Sequence, residues 1–268
     1  TVLYYNTAYN IKKIYWDAYT RVTSATGNSY PDVTRLIRQQ MQSGALVMNY
    51  SGHGRLDAIS HEYVITLPDF AKATSLRLPL WVTASCDIMP FDGQDENIGE
   101  TAMFNEKGGA IAFYGTTRTV YASYNRPMNQ SFMKYVLATD KNGRRYTIGE
   151  AGMLAKNDFT AGTTEMVTNK QQYSLLGDPA LVLAAPTIMA TIDEINGEPV
   201  GGSPKQLKAG SIATVKGHIP NHDDFNGVAT FTVRDIEETI TGKMNNGTET
   251  STAIVYKDRP NTIYSGSH

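Results

Sequence analysis

One cysteine, Cys86, leaves the chain without a partner for an intrachain disulfide, so the fold must be held by burial and hydrogen bonds. No apolar run approaches the roughly 20 residues of a membrane-spanning helix. Neither sign of charge is in excess: 24 basic and 26 acidic residues leave a formal net charge of −2. That balance gives no electrostatic reason to expect nucleic acid or an anionic membrane as a partner. Signatures of other catalytic classes are missing too. Ser51 sits in Ser-Gly-His-Gly and lacks the Gly-x-Ser-x-Gly elbow, and there is neither a Walker loop nor a dinucleotide fingerprint. The sequence opens on Thr1 with no initiator methionine and no signal peptide, which reads as an excised or processed piece of something longer.

What is present suffices for one large domain and a smaller one: 268 residues, 41% of them hydrophobic. Ile11 to Trp16 is rich in β-branched and aromatic residues and predicts a strand. Pro31 opens a predicted helix with Val33, Leu36, Ile37, Gln40 and Met41 on one face, and Gly44 stands where a C-terminal cap belongs. An apolar run, Ala45 to Tyr50, follows. The alternation repeats with a short helix around Pro68 to Ala73, the run Leu80 to Ser85, a helix from Ile98 to Lys107 and the strand Ala110 to Tyr114. Thr147 and Glu150 have capping-box spacing ahead of Ile148, Ala151, Leu154 and Ala155. Strand, helix, strand is the pattern of a parallel sheet in an α/β layer.

Two of these strands end in residues with chemistry. The first delivers His53 between Gly52 and Gly54, and the second delivers Cys86 followed by Asp87, 86 − 53 = 33 residues later. That interval accommodates the crossover a parallel pair requires. A thiolate is the nucleophile in a cysteine peptidase, an imidazole beside it handles its proton, and backbone N–H groups stabilise the oxyanion. Gly54, without a side chain, can bring its N–H close to a substrate carbonyl, and the N–H of Cys86 completes an oxyanion hole. Taken singly, a free cysteine at a strand end is more often a small buried hydrophobe, and Gly-His-Gly a turn. Together, at the carboxyl ends of strands where parallel sheets place their ligands, they favour a catalytic dyad.

The stretches Asn49 to Gly54, Thr83 to Asp87, Gly108 to Phe113 and Tyr173 to Leu181 resemble the gingipain family of secreted cysteine peptidases, relatives of caspases and legumains. Within the family they look most like its sortase-like branch, which serves type IX secretion in Bacteroidetes. The resemblance implies a caspase-like, mostly parallel sheet with flanking helices over 1–185, its N-terminal part missing here. It implies His53 as catalytic histidine and Cys86 as nucleophile. Tyr121, with Thr117 ahead of it, falls where the family places an aromatic wall of the substrate pocket, usually a tryptophan. Export to the outer-membrane surface or beyond is implied as well, with protein substrates, among them cargo bearing C-terminal sorting domains, and other secretion components as partners. Two alternatives stand beside this reading: a secreted digestive endopeptidase, and a non-enzymatic surface or adhesion module that keeps the fold.

After Pro186 helical periodicity gives way to short alternating runs at Ile188 to Ile192, Ile212 to Val215, Ala229 to Val233 and Ala253 to Tyr256. They predict a small immunoglobulin-like β-sandwich over 186–268, truncated before its last strands. At the front, Val2 to Tyr5 reads as part of a helix or a stray strand. No cofactor is called for. Asp92, Asp95, Glu96 and Glu100 offer calcium a set of carboxylates, but without the spacing of a dedicated loop, and a solvated acidic turn is the favoured reading. His53 and His61, eight apart with Glu62 adjacent, do not form the His-Glu-x-x-His of a metallopeptidase, and Pro220 and Asn221 break any helix joining His218 to His222.

Overall fold

A computed structural model describes residues 9–159, 163–185, 188, 190–201, 205–208, 210–228, 230–245, 247, 251–259 and 261–267. Val2 to Tyr5, Pro186, Ala229 and Pro260 lie outside the described residues. The chain packs as two units, residues 1–184 with 237–258, and residues 185–236 with 259–268.

The first unit begins with a 3₁₀ turn, Trp16–Ala18, and a hairpin of β1 (Val22–Ser24) and β2 (Gly27–Ser29). Helix α1 (Pro31–Ser43) starts on its proline and stops at Gly44, whose φ of 84° suits a residue without Cβ. It leads into β3 (Val47–Ser51), then a small antiparallel sheet of β4 (Gly54–Arg55), β5 (Ala58–Ile59) and β6 (Ile65–Thr66). There follow α2 (Leu67–Ala71), β7 (Leu80–Ala84), α3 (Ile98–Phe104), β8 (Ala112–Thr116), α4 (Ala122–Val136), α5 (Ile148–Asn157), α6 (Thr164–Gln171) and β9 (Tyr173–Leu176). The main sheet has the order β3-β7-β8-β9, parallel except for β9.

Alternate residues of the central strands feed two cores, as a two-residue side-chain period requires. Trp81 and Phe113 join Val33, Ile37 and Met41 of α1, Phe70 of α2 and Ile98 of α3 on one face. Leu80, Val82, Ala112 and Tyr114 join Met128 and Phe132 of α4 and Ile148, Ala151 and Ala155 of α5 on the other. Every residue of β7 and β8 is buried, the mark of strands covered on both faces. The result is the α/β, caspase-like layer expected, with the predicted capping box at Thr147 and Glu150 in place.

Ile11 to Trp16 corrects the sequence reading, because it forms no strand. Ile14, Trp16 and Tyr19 instead pack their side chains against the first core. β-branched and aromatic residues supply burial in either conformation, and their strand preference is largely a preference for packing.

In the second unit, β10 (Thr191–Ile195) pairs antiparallel with β11 (Glu198–Pro199) and β12 (Val215–His218), and β13 (Thr230–Arg234) pairs with β16 (Thr262–Ser267). These small sheets agree with the β-sandwich expected downstream. The hairpin β14 (Glu238–Thr241) and β15 (Val255–Asp258) belongs to the first unit. The carboxylate of Asp17 accepts the N–H groups of Met244 (2.9 Å) and Asn245 (2.8 Å), and Tyr256 meets Tyr15 edge to face at 4.7 Å.

Candidate active site

The β3–β7 register decides which residues share a level of the sheet. Val47 faces Leu80 and Ser51 faces Ala84, a constant offset of 33, and one further bond, Gly52 N–H to the Ala84 carbonyl at 3.3 Å, carries the ladder past Ser51. His53 and Cys86 are also 33 apart, so each lies two residues beyond the last pair of these neighbouring strands.

Cys86 is half-buried in the turn that leaves β7, and its Sγ donates to the Val120 carbonyl at 3.5 Å. The turn is tied to the loop after β8. Thr116 Oγ1 donates to the Ser85 carbonyl, Met89 N–H to the Thr116 carbonyl (3.0 Å), and Thr119 Oγ1 to Asp87 Oδ2 (2.7 Å). Asp87 has a φ of 47°, an unfavourable backbone for a residue with a side chain, and these bonds hold it there. Cys86 also bears on Tyr173, whose phenol is pushed well above its ordinary value, first by burial and then by charge repulsion from Cys86.

His53 is exposed and its backbone is pinned. Its carbonyl accepts from Tyr50 Oη at 2.6 Å and from Ser60 N–H at 2.9 Å. Tyr50 is itself stacked on Trp16, centroids 5.3 Å apart, and burial with Glu62 nearby pushes its phenol up.

Gly54 lies hard against the turn that carries Cys86: a Cβ there would meet Ser85 Oγ at 2.1 Å and Ile88 Cδ1 at 2.8 Å. In the β4–β5 pair Gly54 faces Ile59, and the bond from Ser60 N–H to the His53 carbonyl makes this a non-hydrogen-bonded pair. The Gly54 N–H therefore faces away from β5.

Tyr121 and Thr117 both sit on the loop after β8. Tyr121, 53% exposed, directly follows the carbonyl that receives Cys86; its N–H donates to Asn169 Oδ1 at 2.6 Å, and its ring meets Tyr124 edge-on at 6.1 Å. Asn169 is in turn buried with Asn125 and Tyr173, whose hydroxyl donates to Asn125 at 3.0 Å. Thr117 binds the Gln172 carbonyl through both N–H (2.9 Å) and Oγ1 (3.2 Å). With Phe91, Asp92, Arg118 and Gln172 it lines a depression of about 290 Å³.

Three of the acidic residues that follow Cys86 turn to separate partners. Asp92 pairs with Arg118, which holds its carboxyl below the usual range. Glu96 accepts from Thr101, and Glu100 from Asn97. His218 pairs with Asp193 at 2.8 Å. Among the described residues no group of three or more His, Cys, Asp or Glu side chains is arranged to hold a metal ion, and no helix is long and apolar enough to cross a membrane.

Sequence reasoning missed the Val120 carbonyl, the Asn125–Asn169–Tyr173 network and the Arg118–Asp92 pair. It saw His61 only as a metal candidate. The first three carry no local signal, since each is assembled from segments dozens of residues apart, and His61 reaches His53 through strands too short to show a period.

A parallel-centred α/β sheet with cysteine and histidine at one level of adjacent strand ends is the layout of a caspase-like cysteine peptidase. The chain belongs to peptidase family C25, whose family model matches residues 1–184. Among solved structures it is similar to the Arg-specific cysteine proteinase gingipain R (RgpB), at 17% identity and a TM-score of 0.50 over 75% of this chain and 45% of that one. It is also similar to the complex of the RgpB pro- and mature domains from Porphyromonas gingivalis, at 15% identity and a TM-score of 0.52 over 84% and 56%. These likenesses bear on fold. Dimeric latent PorU from P. gingivalis matches at 26% identity over 60% of this chain and 15% of that one, with a TM-score of 0.28. The chain thus spans about half the length of the gingipain structures it matches. No curated protein sequence matches it.

Proposed function

We propose that Cys86 and His53 form the catalytic dyad of a cysteine endopeptidase, with the N–H groups of Gly54 and Cys86 as its oxyanion hole. The observation that supports this reading is the shared offset of 33: His53 and Cys86 each stand two residues past Ser51 and Ala84, the last pair of two neighbouring strands. The Cys86 thiolate attacks the scissile carbonyl carbon and forms the C–S bond. The carbonyl oxygen takes the negative charge, facing the two N–H groups. On collapse the C–N bond breaks, and the His53 imidazolium gives its proton to the leaving amine. A thioester remains on Cys86. Water resolves it to a carboxylic acid, or an amine resolves it to a new amide; either way the thiolate is regenerated.

Transfer to an amine is the outcome that suits a sortase-like role. We propose that the parent protein acts at the outer-membrane surface, removing C-terminal sorting domains from type IX secretion cargo beside other components of that system. The family and the likeness of its motifs support this. Stoichiometric labelling of Cys86 by a peptidyl acyloxymethyl ketone, lost in His53→Ala, is the expected result. Labelling that survives the loss of His53 would return the chain to the role of a scaffold. Amide rather than acid product when an amine competes with water would mark transfer over hydrolysis.

A further inference from the structure

His61 has no part in the chemistry above, yet its ring lies on the one histidine that has. The two imidazoles stack with centroids 4.3 Å apart and planes within 15°. The chain adopts an unfavourable backbone to deliver it there. Ser60 (φ 68°) and Tyr63 (φ 52°), close on either side of His61, are both left-handed without being glycine. Such residues persist where their surroundings over-determine them. Ser60 Oγ donates to Glu62 Oε2 at 2.8 Å and accepts from Glu62 N–H at 3.0 Å, while Val64 N–H returns to the Ile59 carbonyl at 3.1 Å. On the outer side Arg55 lies over the Tyr63 ring, 5.5 Å from its centroid, and donates to its hydroxyl at 2.8 Å.

His53 needs such support. The bonds from Tyr50 and Ser60 fix its carbonyl, not its ring. An exposed imidazole on a pinned backbone still rotates about its side-chain torsions, and a misplacement of about 1 Å in a reacting group costs on the order of 10²-fold in rate. We propose that His61 is a positioning residue for the peptidase reaction: a flat ring laid against one face of His53 that restricts its rotation and keeps a ring nitrogen toward Cys86. The proposal rests on the reading of Cys86 and His53 as a dyad.

The test compares the full chain with its His53→Ala, His61→Ala and His61→Phe variants, reading the rate at which a peptidyl acyloxymethyl ketone labels Cys86. His61→Ala slows labelling tenfold or more, on the order expected for a displaced catalytic group, while His61→Phe, which keeps a flat ring, stays within about threefold of the parent. In NMR, the His53 Cε1–H resonance is held upfield by the overlying ring, moves downfield in His61→Ala and remains upfield in His61→Phe. His61 is exposed, so an unchanged unfolding midpoint ties any loss to the site and not to the fold. The proposal is overturned if His61→Ala is labelled as fast as the parent, or if His61→Phe is as slow as His61→Ala. Failure of the dyad reading has a different signature, His53→Ala labelled at the parental rate, and that result removes both.

Discussion

Replacing Gly54 by alanine tests how the histidine loop and the nucleophile turn are held together. The added methyl would sit 2.1 Å from Ser85 Oγ, 2.8 Å from Ile88 Cδ1 and 3.2 Å from Ser85 Cβ, so something must move. Ile88 is fully buried and Ser85 lies in the turn bonded to Thr116, so the easiest movement is of the β4 backbone away from Cys86. Overpacking of this kind costs about 1–3 kcal/mol, read as a lower urea midpoint at constant slope. If the Gly54 N–H faces the oxyanion, the same displacement lowers the labelling rate of Cys86 by on the order of 10²-fold. Ser85 supplies the control, because its Oγ is buried with no hydrogen-bond partner. Ser85→Ala should therefore be neutral or slightly stabilising. Combined with Gly54→Ala it removes the closest clash, and the cycle should show a favourable coupling of about 1 kcal/mol or more. The reasoning fails if Gly54→Ala matches the parent in stability and labelling, or if the two substitutions are additive.

Three other outcomes follow from particular contacts. Phe132 is fully buried and stacked on Tyr114 with centroids 4.0 Å apart, so Phe132→Ala should cost about 3–5 kcal/mol in equilibrium unfolding; a loss below 1 kcal/mol would contradict the second core. Arg144 and then the Thr147 backbone hold the Glu150 carboxyl down to about 2 from its ordinary 4.5. Its stabilisation is complete above the unfolded value and is lost as pH falls through about 2, so Glu150→Gln should flatten the stability curve over that window, and superimposable melting profiles there would refute the assignment. Asp17→Ala removes the acceptor of the Met244 and Asn245 N–H groups; hydrogen exchange should quicken at those two amides and stay unchanged at Val215–His218 of the second unit.

The parts of the fold legible in the sequence were those with a period or a cap. Pro31 and Gly44 bracket α1, Thr147 and Glu150 open α5, and the apolar runs ahead of His53 and Cys86 are β3 and β7. Helix α4 was hidden by Pro127, a residue that ordinarily ends a helix and here lies inside one. The sheet β4-β5-β6 was hidden for the opposite reason, since strands of two residues have no period to read. Its consequence for the site is large, because that sheet turns the chain back and lays His61 on His53. The left-handed residues that complete the turn are serine and tyrosine, not the glycine or asparagine that would have announced it.

The offset of 33 also separates what the site requires from what it happens to have. On the proposed dyad, the geometry should depend on both residues standing two past the end of a paired strand, not on the number of residues between them. The connection from β3 to β7 passes through Leu76, 91% exposed, where extra residues meet solvent and only a longer loop must be closed. A two-glycine insertion after Leu76 changes the separation and leaves both strand ends in place, so Cys86 labelling should persist. A single glycine inserted between Ser51 and Gly52 leaves the β7 side untouched but moves His53 one position along, out of level with Cys86 and away from the Tyr50 hydroxyl that holds its carbonyl. Labelling should then fall to the level of His53→Ala. Equal sensitivity to the two insertions would mean that the connecting segment, rather than strand register, sets the site.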